Sequence, residues 1–356
     1  MTRKIYVAHG AIHNSGDYLI FHRGWDLLER FISAEDVELV PIKRWEPITG
    51  HCDALIILGG PIVSRKMHLQ SNNIKNYIEK NDVPVIPLGV GISGTGYSAS
   101  EPYFIDQDSV DFWTTVYDSS RLFSVRDVHT RQVLRDYNIP AVLTGCPAFY
   151  DQEYLSESSD EPGGLLKGDH HNLTITIPNV RLSSVLSTIT TLFFLSYLRI
   201  TFSDGERFPH RRVVFQHGFN SFGNDVIAKI ARVLGFETVD GSDRSIDQIT
   251  EIHDSDIHIG TRLHTNIFFL SRNKASYLLN VDNRTDAFIK TISTPSENFS
   301  FGGVKRLVDR CSNDLRDDQS QRGIKPARTQ IMTLYPEMRD YLLRVRQFVN
   351  PDEPDK

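Results

Sequence analysis

Asp256-Ile257-His258-Ile259-Gly260-Thr261-Arg262-Leu263-His264 runs as a short apolar strand through Gly260 and out into Arg-x-His, where helical text begins. A strand that ends in glycine and opens a helix is the repeating unit of a parallel α/β sheet with crossover helices. The unit recurs on both sides of this stretch. In the second half, strand-like runs at 173–178, 212–217, 237–240, 256–260 and 275–281 alternate with helical text at 183–197, 224–234, 246–253 and 265–271. In the first half, runs at 5–8, 37–41, 54–58, 83–89, 122–125 and 141–144 alternate with helices expected at 17–31, 72–80, 108–117 and 127–137.

A chain of 356 residues exceeds the roughly 250 to 300 at which a single core stops growing. Between 156 and 171 the text turns rich in Ser, Asp, Glu and Gly (SESSDEPGGLLKGDHH) and loses apolar periodicity, as a linker does. The organisation expected is therefore a Rossmann-like domain over 1–155, a linker or loop over 156–172, a second Rossmann-like domain over 173–325, and a C-terminal helix and tail over 326–356. The closing helix is read from Ile331, Leu334, Met338, Tyr341, Leu342, Val345 and Phe348, which fall near helical spacing.

With 39 basic and 45 acidic residues the formal charge is -6, and no basic stripe stands out, so nucleic acid is excluded as an expected partner. Cys52, Cys146 and Cys311 are odd in number and outside any CxxC spacing, which fits a reducing compartment. The opening MTRKIYVAHG reads as a first strand and not as a secretion signal, and a cytoplasmic location is expected. The apolar run at 185–202 is broken by Ser187, Thr188, Thr190, Thr191, Ser196 and Arg199, and reads as a core helix more readily than as a membrane span. The histidines show no metal-ligand spacing, and no metal is expected.

In open α/β sheets ligands bind outside the carboxyl ends of the strands, so the chemistry is sought there. Asn14-Ser15-Gly16-Asp17 follows the first strand; it can offer helix N–H groups and polar side chains to a ligand, or simply cap the helix. Gly59-Gly60 and Gly89-Val90-Gly91 end two further strands, near Ser93, but lack the spacing of a dinucleotide or phosphate loop, and tight turns explain them as well. Arg126, in Ser124-Val125-Arg126-Asp127, can present a fork of donors to an anion or can pair with Asp127. Arg262 and His264 place a fixed cation and a titratable imidazole two residues apart at a helix mouth. A site for an acidic substrate needs both, although an isolated histidine is more often structural. His217 ends another strand.

Taken in order, these pieces resemble the polysaccharide pyruvyl transferase family: Asn14-Ser15-Gly16-Asp17, Leu58-Gly59-Gly60, Gly89-Val90-Gly91, Ser124-Val125-Arg126-Asp127, Gly145-Cys146-Pro147-Ala148, and Arg262-Leu263-His264 followed by Val281-Asp282. Pro61 stands where the family often has a third glycine, and Cys146 where it usually has an aspartate. The resemblance implies a GT-B-like pair of domains facing a cleft and a reaction that transfers pyruvate from phosphoenolpyruvate, as co-substrate, to two hydroxyls of a sugar as a cyclic ketal, with no cofactor. It also implies that Arg262 and Arg126 hold the donor's anionic groups and that His264 is the general acid, with Asn14, Gly16, Asp17, Gly60, Gly91, Ser93, His217, Leu263 and Asp282 binding substrate. A lipid-linked sugar acceptor and peripheral attachment to a membrane stay open. An ordinary imidazole pKa of about 6.5 would make His264 a proton source near neutrality. Two other readings use the same cleft: a nucleotide-sugar glycosyltransferase, and a carbohydrate-binding protein without catalysis.

Overall fold

The structure is a computed structural model that describes residues 2–351 except 13, 94–102, 156–170, 180–183, 220, 243–245, 253 and 317–320. Its first half runs β1 (Arg3–His9), α1 (Ser15–Phe31), β2 (Val37–Lys43), β3 (Ala54–Leu58), β4 (Pro61–Ser64), α2 (Leu69–Asn81), β5 (Val85–Leu88), β6 (Gly91–Ser93), α3 (Gln107–Ser120), β7 (Ser124–Val125), α4 (Val128–Asp136), β8 (Val142–Leu143) and a 3-10 turn (Pro147–Phe149). The second half runs β9 (Leu173–Thr176), α5 (Val185–Thr201), β10 (Arg211–Phe215), α6 (Phe222–Val233), β11 (Glu237–Asp240), α7 (Ile246–Ile252), β12 (Ile257–Gly260), α8 (Leu263–Ser271), β13 (Ala275–Asn280), α9 (Asn283–Thr291), β14 (Ser296–Asn298), α10 (Phe301–Arg316) and α11 (Gln321–Val349).

All strand pairs are parallel. The first sheet has the order β2-β1-β3-β5, with Ile5 opposite Leu39 on one side and Ala54 on the other. A parallel bridge from Val90 to Val125 attaches the β7-β8 pair to its far edge. The second sheet has the order β11-β10-β9-β12-β13-β14. Helices cover both faces, so central strands are buried throughout; Ala54-Leu55-Ile56-Ile57-Leu58 has no exposed position.

The halves share a core. Leu27 and Leu28 of α1 and Ile86 of β5 pack in one apolar cluster with Ile267 and Phe268 of α8 and Met338, Tyr341 and Leu342 of α11. A buried ionic knot sits at the same seam: Arg23 of α1 donates to Asp151 at 2.7 Å and to Ser271 at 2.7 Å, and Arg272 donates to Asp151 at 2.8 Å. Burial alone would raise the Asp151 carboxyl, but Arg23 and Arg272 outweigh it and hold it below the usual range. The helix α11 returns to the first half, where the Tyr341 hydroxyl donates to the Pro87 carbonyl at 2.7 Å.

Several expectations change. The closing helix starts at Gln321 and carries Pro326 and Pro336 inside it, because burial of Ile331, Met338, Tyr341 and Val345 along one face outweighs the local cost of proline. The short strands β4, β6 and β14 and the helices α9 and α10 were not among the elements read from the sequence. The run at 185–202 is α5, whose Phe194, Leu195 and Leu198 are buried, and among the described residues no helix is long and apolar enough to cross a membrane. Cys52, Cys146 and Cys311 are buried free thiols. The domain division at 156–172 falls, for residues 156–170, outside the described residues.

Candidate active site

The carboxyl ends of the two sheets open on one cleft of about 540 Å³. From the first half it receives Gly10 after β1, Asn14 and Asp17 at the start of α1, Arg44 and Trp45 after β2, and Arg126 after β7. The second half supplies Asn179 after β9, Gln216 and His217 after β10, Thr261, Arg262, Leu263 and His264 after β12, and Asp282 and Arg284 after β13. Arg126 and His264, far apart in the chain, line this cleft and also a narrow recess beside it.

The stretch around Arg262 shows how the backbone builds the site. Gly260 lies so close to the neighbouring strand that a Cβ there would stand 2.2 Å from the Thr176 carbonyl oxygen. The chain then turns so that the Arg262 N–H donates to the Thr176 hydroxyl at 3.1 Å and its Nε donates to the Ile177 carbonyl at 2.8 Å. Arg262 occupies the N-cap position of α8, but no side chain caps that helix, leaving first-turn N–H groups for an anion. Helices α1 and α9 differ: Asn14 caps the first and Asp282 the second, each with a 3.0 Å bond. The capping role weighed for Asn14 is therefore real, and the same residue also lines the cleft.

Charge is concentrated here. Arg44, Arg126, Arg262 and Arg284 line the cleft against two carboxylates, Asp17 and Asp282. Arg284 binds Asp282 through Nε at 2.9 Å, and Arg126 pairs with Asp127 at 3.3 Å, as its adjacent-carboxylate reading foresaw. Arg44 and Arg262 make no ion pair with a carboxylate among the described residues. Burial lowers both to about 10, with Arg126 acting on Arg44 and Arg284 on Arg262 in the same direction. Burial also raises the Asp17 carboxyl to about 6, although Arg44, Arg284, Arg126 and a hydrogen bond with Asn14 pull the other way.

His264 corrects an expectation. Burial, then Arg126 and Arg284, push its imidazole down to about 3, and its Nε2 is buried without a partner. This environment favours the neutral imidazole over the ordinary value near 6.5 on which its role as a proton source was expected to rest. His217 is lowered to about 4 by burial and by Arg262 and Arg284.

The glycines act from behind. A Cβ on Gly16 would stand 2.4 Å from His264 Nδ1, one on Gly60 2.5 Å from Arg44 Nη2, and one on Gly91 2.1 Å from Arg126 Nε. Gly16, Gly60 and Gly91, to which the resemblance gives substrate binding, stand behind the cleft lining and make room for the side chains that face it. Ser93 is also outside the cleft lining, its carbonyl accepting from the Tyr103 hydroxyl. Residues 94–102, which follow Ser93, and His13, which precedes Asn14, lie outside the described residues. Asn14, Asp17, Arg126, His217, Arg262, Leu263, His264 and Asp282 all reach the cleft. Arg44, Trp45, Gln70 and Arg284 do too, and sequence reasoning passed over them. Arg44 and Trp45 follow β2 at its carboxyl end, the same topological signal used elsewhere.

Comparison with known proteins agrees with this architecture. The solved structures similar to it include a Staphylococcus aureus MnaA-UDP co-structure (TM-score 0.62, 12% identity, all of both chains). A UDP-GlcNAc 2-epimerase from Neisseria meningitidis bound to UDP-GlcNAc matches with TM-score 0.59 and 8% identity over 94% of this chain and 98% of that one. A glycosyltransferase from Rickettsia africae matches with TM-score 0.53 and 11% identity over 99% and 100%. At such identities the likeness is one of fold, a GT-B-like pair of parallel α/β units. No curated protein matches the sequence significantly. The family model for polysaccharide pyruvyl transferase matches residues 14–283, from the Asn14 cap to the start of α9, and so covers most of the cleft lining, Arg126, Arg262 and His264 included. The chain belongs to the polysaccharide pyruvyl transferase family and is a transferase.

Proposed function

We propose that the protein transfers pyruvate from phosphoenolpyruvate to two hydroxyls of one sugar, closing a cyclic ketal and releasing phosphate. The observation that carries this reading is the excess of guanidinium over carboxylate in a single cleft beside the uncapped end of α8. A small ligand with a carboxylate and a phosphate matches that charge. Arg262 and Arg126 hold its anionic groups, and the preorganised donors stabilise charge as it moves to the leaving phosphate.

His264 delivers a proton to the methylene carbon, which makes C2 electrophilic, and an acceptor hydroxyl adds there. The C2–O bond to phosphate then breaks, and a second hydroxyl of the same sugar closes the ring. Two C–O bonds form, one C–O bond breaks, and the two hydroxyl protons are accounted for by one new C3–H bond and one proton on phosphate. Asp17, in the same cleft and poised near 6, accepts the two hydroxyl protons in turn, passing one to phosphate, whose own second pKa is about 6, and returning the other to His264 to replace the proton given to C3. His264, whose neutral form is favoured first by burial and then by Arg126 and Arg284, becomes an acid when the donor's negative charge offsets those two arginines. A cytoplasmic setting belongs to the same proposal.

The test is phosphate release from phosphoenolpyruvate with galactosides, glucosides and mannosaminides as acceptors. Wild-type protein should release phosphate with at least one of them, and His264→Ala should abolish release while keeping the fold and most of the donor affinity. Near-normal turnover in His264→Ala removes it as the acid. Thermal stabilisation by UDP or GDP but not by phosphoenolpyruvate would favour a nucleotide-sugar donor instead.

A further inference from the structure

The wall that the first half contributes carries side chains that the donor chemistry leaves unused. Trp45 is the clearest: it lines the cleft, the residue is 41% exposed, and its indole N–H donates to the Gly10 carbonyl at 3.2 Å. That bond fixes the plane of the ring. The backbone beneath is fixed as well, because the Arg44 N–H donates to His9 and the Arg44 carbonyl accepts from Asn73 of α2 at 3.0 Å. An apolar face held open to water in a polar cleft is a rigid platform of large contact area.

A second observation lies in the first turn of α2. Gln70 lines the same cleft, is only 8% exposed, and its Oε1 is buried without a hydrogen-bond partner. A buried amide oxygen with no partner costs free energy unless something donates to it. The missing group is a donor, which a sugar hydroxyl supplies and an ionised carboxylate or fully ionised phosphate does not.

A planar aromatic face, an amide short of a donor and the Asp17 carboxylate together fit a neutral polyhydroxylated ring: C–H groups on one face for the indole, O–H groups at the edge for amide and carboxylate. The geometry points to a sugar-binding subsite formed by Trp45 and Gln70, with Trp45 stacking on the acceptor ring and Gln70 accepting from one of its hydroxyls. This rests on the reading of the protein as a ketal pyruvyltransferase, and it assigns the acceptor to the wall formed by the first half.

The experiment uses the full chain and two readouts. Titrating methyl galactoside, methyl glucoside and methyl N-acetylmannosaminide into wild-type protein should perturb tryptophan fluorescence with at least one of them. The change should vanish in Trp45→Phe, which leaves Trp25 and Trp113 as the remaining indoles. With the glycoside that responds, Trp45→Ala should raise the acceptor KM by roughly tenfold, equivalent to about 1.4 kcal/mol, and Gln70→Ala should raise it as well. Phosphoenolpyruvate affinity, read by titration calorimetry, should hold in both, and Trp45→Phe should retain most of the acceptor affinity. No fluorescence response to any of the three sugars overturns the subsite. So does a response that survives in Trp45→Phe, or a loss of phosphoenolpyruvate affinity equal to that for the sugar. A response to UDP without one to sugars overturns it too. If a sugar binds in this way but phosphate is never released, the subsite stands and the ketal reaction falls.

Discussion

Gly91→Ala tests the cleft without touching a charged group. Gly91 does not adopt positive φ, so alanine suits its backbone, and the Gly91 N–H bond to the Gly60 carbonyl at 2.9 Å can persist. The new methyl carbon, however, would lie 2.1 Å from Arg126 Nε and 2.6 Å from Cζ. Ordinary contact begins near 3.4 Å, so the guanidinium must withdraw by more than an ångström. Arg126 is 5% exposed and held by Asp127 and the Ile92 carbonyl, and cannot swing into solvent at little cost. A displacement of about 1 Å in a group that positions substrate costs on the order of 100-fold in rate, about 2.7 kcal/mol. The expected result is a fall of that size in kcat/KM for phosphoenolpyruvate-dependent phosphate release, with an overpacking loss of about 1–3 kcal/mol in stability. Gly205→Ala, where no heavy atom lies within 4 Å, is the control. If Arg126 is the mediator, Gly91→Ala in an Arg126→Ala background should cost little more, because the two changes remove one interaction. Folded Gly91→Ala protein with wild-type kcat/KM would refute the role given to Arg126.

Two further outcomes concern stability. His9, His217 and His264 are lowered to about 4, 4 and 3, chiefly by burial, so between about pH 4 and 6.5 the unfolded chain binds protons there that the folded chain does not. Asp17, raised to about 6, works in the opposite sense and offsets one of them. Stability should therefore fall as pH falls through this window, on the order of 2 kcal/mol per pH unit after discounting the partly exposed His217 and His264. Urea midpoints that stay flat from pH 7 to 5 would contradict it. Asp151→Ala should strip the buried Arg23 of its carboxylate and cost about 3–5 kcal/mol; a urea midpoint close to that of the wild type would show that the seam does not depend on this pair.

The fold was legible where burial leaves a continuous apolar run. The strands at 54–58 and 237–240 coincide with β3 and β11, and most others differ by a residue or two at the ends. What escaped has identifiable causes. The strands β4 and β6 are short pieces that continue straight on from the glycine turns, so Gly60-Pro61 and Gly89-Val90-Gly91 look like loop text. The spacing of Val304, Leu307, Val308, Cys311 and Leu315, all buried along α10, is an ordinary helical signal, although α10 is not among the expected elements. In the site, attention to glycine-bearing strand ends found Arg262 and His264 but missed Arg44, because β2 ends in Lys43-Arg44-Trp45 with no glycine of its own. The glycines that shape the Arg44 pocket, Gly10 and Gly60, come from two other strand ends, a relation that only the folded chain reveals.

The same distinction separates what a residue is from what it can do. An imidazole at a helix mouth suggests an acid at neutral pH, yet burial first, and then Arg126 and Arg284, favour the neutral form of His264, and on the proposed reading Arg126 also holds the donor. The conflict disappears when the ligand's own charge is counted. Without a bound anion the cleft disfavours the imidazolium; a bound anion favours it, because it acts against Arg126 and Arg284. Donor binding should accordingly draw in protons, and phosphate departure should release them. On the proposed reading the acid exists only while there is a donor to protonate, and Arg126 both binds that donor and, with burial and Arg284, favours the neutral imidazole before it arrives.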